Sequence, residues 1–199
     1  MDLVYMALDL KDYILSWRRR LHQYPELSLQ EVQTTQALAD ELERLGIPVL
    51  VERSSYESHP LGRMEWIRLY GVLLGKDEEA EAVFQEKTAA LKDLPEWEST
   101  GKTAAFFYIT GNGSLNVRKS GDYVAKMIAM AGGTYVPADE EGEENALSTT
   151  NMQLEAFYAA AKDADVLIYN SAVDGELKNM DQLLEKSSLL ADFKAVKEG

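Results

Sequence analysis

The chain of 199 residues carries 20 Lys+Arg against 34 Asp+Glu, a formal net charge of -14, with 46% hydrophobic residues and no cysteine. That apolar content supports a packed core, whereas the acidic balance and scattered basic residues, apart from Arg18-Arg19-Arg20, speak against phosphate neutralisation along a nucleic acid. No stretch approaches the roughly 20 apolar residues of a bilayer span, the first residues lack a basic n-region followed by an apolar h-region, and without cysteine there are no disulfides or thiolate metal sites.

Apolar residues Tyr13, Ile14, Trp17 and Leu21, then Val32, Ala37, Leu38, Leu42 and Leu45, recur at helical spacing and predict two helices joined at Tyr24-Pro25. Gly46 suits a left-handed helix end, and Ile47-Pro48-Val49-Leu50-Val51 reads as a short buried strand. After a polar loop over 54–62, the residues from Met64 to Leu91 predict one long helical stretch with a weak point at Gly75-Lys76-Asp77. Thr103 to Thr110 is a continuous apolar run of the kind found in a parallel sheet, and Gly111-Asn112-Gly113 turns the chain.

Ser120-Gly121-Asp122-Tyr123 opens a helix to Ala131, stopped by Gly132-Gly133. Asp139 to Glu144 reads as a solvated acidic loop without EF-hand spacing, Asn151 to Ala164 as a helix, Asp165 to Tyr169 as a buried strand, and Asp181 to Val196 as a helical tail. Strands alternating with helices predict an α/β layered fold with a parallel sheet.

Recognisable catalytic patterns are missing from the sequence. His22 and His59 are too few and too far apart for a zinc site, Gly111-Asn112-Gly113 lacks the third glycine of a dinucleotide fingerprint, and there is no Gly-x-Ser-x-Gly elbow. Binding is favoured over catalysis on residue chemistry alone. Open parallel sheets hold ligands beyond the C-terminal ends of their strands. Tyr56 and His59 follow the first predicted strand there, Thr110, Asn112, Asn116, Arg118 and Lys119 the second, and Asn170 and Ser171 the third. Arg118 and Lys119 suit an anionic ligand through charge-assisted bonds, and suit a solvated loop equally well by spacing.

From about residue 45 onward the chain resembles the extracytoplasmic substrate-binding proteins of ABC importers for iron-siderophore, haem or cobalamin. The residues that carry the resemblance are Gly46-Ile47-Pro48-Val49, Tyr56, His59-Pro60-Leu61-Gly62, Glu65-Trp66-Ile67, Tyr70-Gly71, Leu74-Gly75-Lys76, Asn116 to Tyr123, Ala131-Gly132-Gly133 and Ala164 to Tyr169. The resemblance implies one lobe of a two-lobe protein with a long bridging helix, a non-enzymatic role and no cofactor. The ligand would be a ferric chelate or haem held between the lobes, and the partner an ABC permease. It implies ligand contacts from Tyr56, Arg63, Asn112, Asn116, Arg118, Lys119, Tyr123 and Asn170, and permease docking through Glu155, which as a first-turn carboxylate also favours its own helix dipole.

Residues from about 10 to 47, notably Tyr13 to Ser28 with Glu31, Thr34, Thr35, Leu38 and Leu42, instead resemble the N-terminal helices of zinc-dependent aminoacylase and carboxypeptidase-like amidohydrolases. The downstream metal ligands of those enzymes are missing, so His22 inherits no metal role. The two resemblances meet at Leu42 to Val49, which suggests a chimera, natural or artefactual. The implied organisation is a helical segment over 1–45, the last strand and loop of a first lobe over 46–61, the bridging helix over 62–95, and a second α/β lobe, truncated at its C-terminus, over 96–199. The implied location is extracytoplasmic and membrane-anchored, although the chain carries neither a signal nor a lipid-anchoring cysteine. The alternatives are an amidohydrolase fragment and an inactive fusion fragment.

Overall fold

A computed structural model describes Tyr5 and residues 8–27, 30–92, 99–138, 149–173 and 175–199. The acidic run at 139–144 lies outside them. The chain forms two compact units, Met1–Arg53 and Ser54–Gly199.

The first unit is a helix pair, α1 (Lys11–Gln23) and α2 (Val32–Arg44), neither of which has a buried residue. One carboxylate links them: Tyr13 Oη donates to Glu41 Oε1 at 2.6 Å, and Arg44 donates to both oxygens of Glu41 at 2.7 and 2.8 Å. The Arg44 bonds, then that of Tyr13, pull the Glu41 carboxyl down to about 2. Glu26 reaches the start of α2, where its oxygens accept from the backbone N–H groups of Gln33 and Thr34, which lowers its own pKa. The end of α2 is a Schellman turn: Ile47 N–H donates to Leu42 O, and Gly46, at φ +77°, donates to Glu43 O. The strand expected over Ile47 to Val51 does not form; Ile47, Leu50 and Val51 are exposed and pair with no strand among the described residues. An apolar run becomes a strand only where a sheet edge accepts its backbone bonds.

In the second unit a 3-10 turn (Ser54–Tyr56) leads to α3 (Pro60–Leu74), which His59 opens by accepting the Leu61 N–H on Nδ1, with Pro60 at the first helical position. The long helix expected from Met64 to Leu91 is two helices, because Gly75 adopts φ +65° and Lys76 N–H closes back onto Gly71 O. A new helix, α4 (Asp77–Lys92), starts with three acidic residues that suit its positive end. The two pack as a hairpin. Arg68 clamps Glu81 through Nε and Nη2 at 2.6 and 3.0 Å, and its guanidinium lies 3.8 Å from the centroid of the Phe84 ring. At Gly71 a Cβ would come within 2.4 Å of the Ala80 Cβ. Gly71→Ala is therefore expected to cost about 1–3 kcal/mol by overpacking, read as a lower urea midpoint.

The sheet is built on β1 (Thr103–Ile109). One edge of β1 carries β3 (Thr134–Val136), parallel, beside its first half and β2 (Leu115–Arg118), antiparallel, beside its second half; β5 (Val166–Tyr169) runs parallel on the other edge, and β4 (Thr149–Met152) extends β2 antiparallel. The α/β class holds, but the sheet is mixed rather than wholly parallel, since the tight turn after Ile109 returns the chain directly as β2. Asn151 and Met152 lie in β4, not in a helix as expected; α6 starts only at Leu154 and runs to Ala161. Between the strands, α5 (Tyr123–Met130) ends at Gly132-Gly133 as expected, and the tail consists of α7 (Met180–Lys186), a 3-10 turn over Ser188–Asp192 and α8 (Lys194–Lys197).

Alternation along β1 separates two faces. Ala105, Phe107 and Ile109 pack with Leu115, Val117, Phe157, Ala161, Leu190 and Phe193 into the main core, while Ala104 and Phe106 face Val124 and Ile128 of α5. Phe107 is fully buried, its ring centroid 4.9 Å from that of Phe157 and 5.4 Å from that of Tyr169. Contrary to the expected buried strand, β5 leaves Val166 and Ile168 exposed on the second face. Phe107→Ala is expected to cost about 3–5 kcal/mol, measured by chemical denaturation.

Asp165 ties the starts of β1 and β5 to α8. Its oxygens accept from the Thr103 backbone N–H at 2.9 Å and from Lys194 Nζ at 2.8 Å, with Lys102 Nζ at 3.4 Å. These bonds, that of Lys194 first, hold the carboxyl well below its usual range and raise the Lys194 pKa. A depressed folded pKa stabilises the fold above the unfolded value of about 4 and loses that contribution as pH falls toward the folded value. Asp165→Asn should accordingly lower the thermal midpoint at pH 7, and its gap to the unchanged chain should narrow as pH drops below about 4.

Candidate ligand-binding site

At the end of β2 the chain turns into α5 through Asp122, a buried carboxylate with two tasks. Its Oδ1 caps α5 by accepting the Val124 N–H at 2.9 Å, and its Oδ2 faces Arg118 Nη1 at 3.5 Å. Tyr135 on β3 donates its hydroxyl to the Arg118 carbonyl at 2.6 Å, so the backbone beneath Arg118 is held from the neighbouring strand. The Arg118 guanidinium carbon then lies 6.0 Å from the ring centroid of Phe106 and 5.8 Å from that of Tyr123, and its Nε is buried with no partner.

Arg63, in the first turn of α3, approaches the same ring from a different element. Its guanidinium stacks 4.2 Å from the centroid of Tyr123, with Nη1 at 3.5 Å from the Ser55 carbonyl. The two guanidiniums are thus within about 10 Å of each other. Among the described residues Arg63 has no carboxylate partner, and Arg118 has only the long contact to Asp122. Two permanent positive charges against one half-buried tyrosine are an arrangement able to pair with a planar or multiply charged anion, because guanidinium presents its donors in a fixed fork.

The other expected contacts fall into two groups. Tyr56 is half-buried in the 3-10 turn beside Ser55; Asn116 is buried on β2, two residues before Arg118 and so on the same face, and Lys119 follows it, partly buried. Asn112 and Asn170 instead close turns. The Asn112 Oδ1 meets the Thr110 hydroxyl and accepts the Ser114 N–H at the hairpin tip, and the Asn170 Oδ1 accepts the Ala172 N–H at 3.1 Å just beyond β5. Asn116 and Arg118, expected in a loop, are strand residues. Glu155 is exposed in the first turn of α6.

Phe106, Asp122 and Tyr135 were not singled out by sequence reasoning as parts of a site. The Ser120-Gly121-Asp122-Tyr123 helix opening marks Asp122, but nothing local marks Tyr135, whose position depends on β3 pairing with β1. Among the described residues no three metal-ligating side chains cluster, and no helix is long and apolar enough to cross a membrane.

A family model described as periplasmic binding protein matches residues 25–199. The chain is 28% identical over 157 residues to the uncharacterized lipoprotein MJ0878 of Methanocaldococcus jannaschii, which covers 78% of this chain and 36% of that protein. In structure it resembles an ABC-type Fe3+-hydroxamate transport system protein from Saccharomonospora viridis, with TM-score 0.57 and 22% identity over 79% of this chain and 53% of that one. It also resembles S. aureus IsdE complexed with heme, with TM-score 0.54 and 14% identity over 82% of this chain and 61% of that one. At these identities the likeness is one of fold, and the chain spans between about a third and three fifths of these relatives' lengths. A local stretch of 41 residues is 42% identical to Thermostable carboxypeptidase 1 of Saccharolobus solfataricus, only 10% of that enzyme, which assigns no activity. The family match takes in α2 and the segment Leu42 to Val49 where the two resemblances meet. Covering well over half of the residues, it shows that the chain belongs to the periplasmic binding protein family.

Proposed function

We propose that the chain serves as the solute-binding component of an ABC importer for an anionic iron chelate, a ferric siderophore or haem, which it binds without catalysis outside the cytoplasm. The observation that carries this reading is the convergence of Arg63 and Arg118 on Tyr123 in a chain of net charge -14. A strongly acidic surface repels an anionic ligand over long range, so two adjacent guanidiniums with a single long carboxylate contact mark where such a ligand gains the most. The buried, unpartnered Arg118 Nε is a donor whose desolvation goes uncompensated until an acceptor arrives.

Family membership and the neighbours described as binding heme or as belonging to an Fe3+-hydroxamate transport system support an iron chelate as the ligand class. The relative described as a lipoprotein supports a membrane-anchored, extracytoplasmic location. In this reading Glu155, exposed on α6, meets an arginine of the permease.

Titration with ferric citrate and with haemin, followed by quenching of Trp66 and tyrosine fluorescence, tests the assignment. The double variant Arg63→Ala, Arg118→Ala should weaken an anionic chelate by roughly tenfold or more, while a neutral ferric trihydroxamate changes little. Equal dissociation constants for ferric citrate in the variant and the unchanged chain would overturn the site.

A further inference from the structure

We infer that the ligand of the Arg63 and Arg118 site is amphiphilic, an anionic iron chelate whose aliphatic chain lies in an apolar cavity beside the guanidiniums; this rests on those arginines being the anion site. A cavity of about 380 Å³ opens where α3, α4 and α5 meet, walled by Pro60, Leu61 and Met64 of α3, Leu91 of α4, and Met127 and Met130 of α5. That volume falls within the range of about 300–1,000 Å³ usual for small-molecule sites.

Helical spacing joins the cavity to the charged site. On α5, Tyr123, Met127 and Met130 stand at i, i+4 and i+7 and form one stripe, and on α3 Pro60, Arg63 and Met64 stand at i, i+3 and i+4. The two stripes face each other, because Arg63 stacks on Tyr123 while Pro60 and Met64 share the cavity with Met127 and Met130. One helix turn beyond the ring that both guanidiniums approach, the surface therefore changes from cationic to apolar.

The chemistry of the wall selects the occupant. Among the described residues no charged or amide side chain lines the cavity, so a compact polyanion gains nothing there beyond the arginines. Met127 is 51% exposed and stays in water until an apolar group covers it. Methionine is unbranched and polarizable, and three of them suit a flexible chain better than a rigid shape. Continuity with the two guanidiniums points to one molecule, charged at one end and aliphatic at the other.

Calorimetric titration of the full chain with the ferric complexes of citrate monomethyl, monobutyl and monohexyl amide, which share one head, is the test. Affinity should rise with the chain, on the order of tenfold from butyl to hexyl, since each buried methylene is worth about fourfold. Met127→Gln should weaken the hexyl amide by roughly fivefold and leave the methyl amide unchanged, while Met127→Leu keeps the affinity for both. Equal dissociation constants across the series, or a Met127→Gln variant that loses nothing on the hexyl amide, would overturn the amphiphilic ligand. In that case a loss on all three amides in the Arg63→Ala, Arg118→Ala variant would leave the anion site standing. Failure of every amide to bind, or no change in that double variant, would overturn the anion site and the amphiphilic ligand together.

Discussion

Strand β1 is the constraint on which the larger unit depends. Both of its edges are hydrogen-bonded and both of its faces are covered, so its backbone groups and its apolar side chains are satisfied together. Because β2 and β3 share one edge of β1 and run toward each other along it, their C-terminal ends meet beside its middle. Asp165 then sets the start of that frame, using one carboxylate to accept a backbone N–H of β1 and the ammonium of Lys194. The remaining elements of the core pack on this frame: Phe157 and Phe193 lie under one face, with Val124 and Ile128 over the other.

The candidate site follows from that edge sharing. Arg118 ends β2 next to β3, and the hydroxyl of Tyr135 holds its carbonyl. Asp122, four residues later, starts α5 and so brings Tyr123 against the guanidinium. Arg63 comes from a separate element, α3; His59 and Pro60 start this helix, whose first turn carries Arg63 to the same ring. The site therefore sits where secondary-structure elements begin and end. There the backbone is fixed by caps while the side chains remain partly accessible, the arrangement that binding requires of a rigid scaffold.

The two units differ in what holds them together. The second has a core around Phe107, whereas the first has no buried residue in either helix and relies on Glu41, Glu26 and the turn at Gly46 for local order. Exposed carboxylate contacts of this kind contribute little stability in water. The aliphatic side chains of α1 and α2 thus keep much of their surface exposed.

By itself, the sequence determined the features whose cause is local. Helical spacing and the Pro25 break specify α1 and α2; Gly46 and Gly132-Gly133 stop their helices; Asp122 opens α5; and the unbroken run from Thr103 marks the central strand. The family resemblance was also legible, because it rests on residues spread along the chain. Features that depend on long-range pairing were decided only by the tertiary structure. Ile47 to Val51 has the composition of a strand but no edge to join, while Leu115–Arg118, Thr134–Val136 and Thr149–Met152 are short, carry polar residues and become strands because β1 and β2 offer them edges. Gly75 reads as a weak point in one helix and is in fact the corner of a hairpin, since Gly71 lets Ala80 approach. Arg63 and Arg118 are 55 positions apart, and no local pattern says that they share a ring; the packing of α3 and α5 around Tyr123 does.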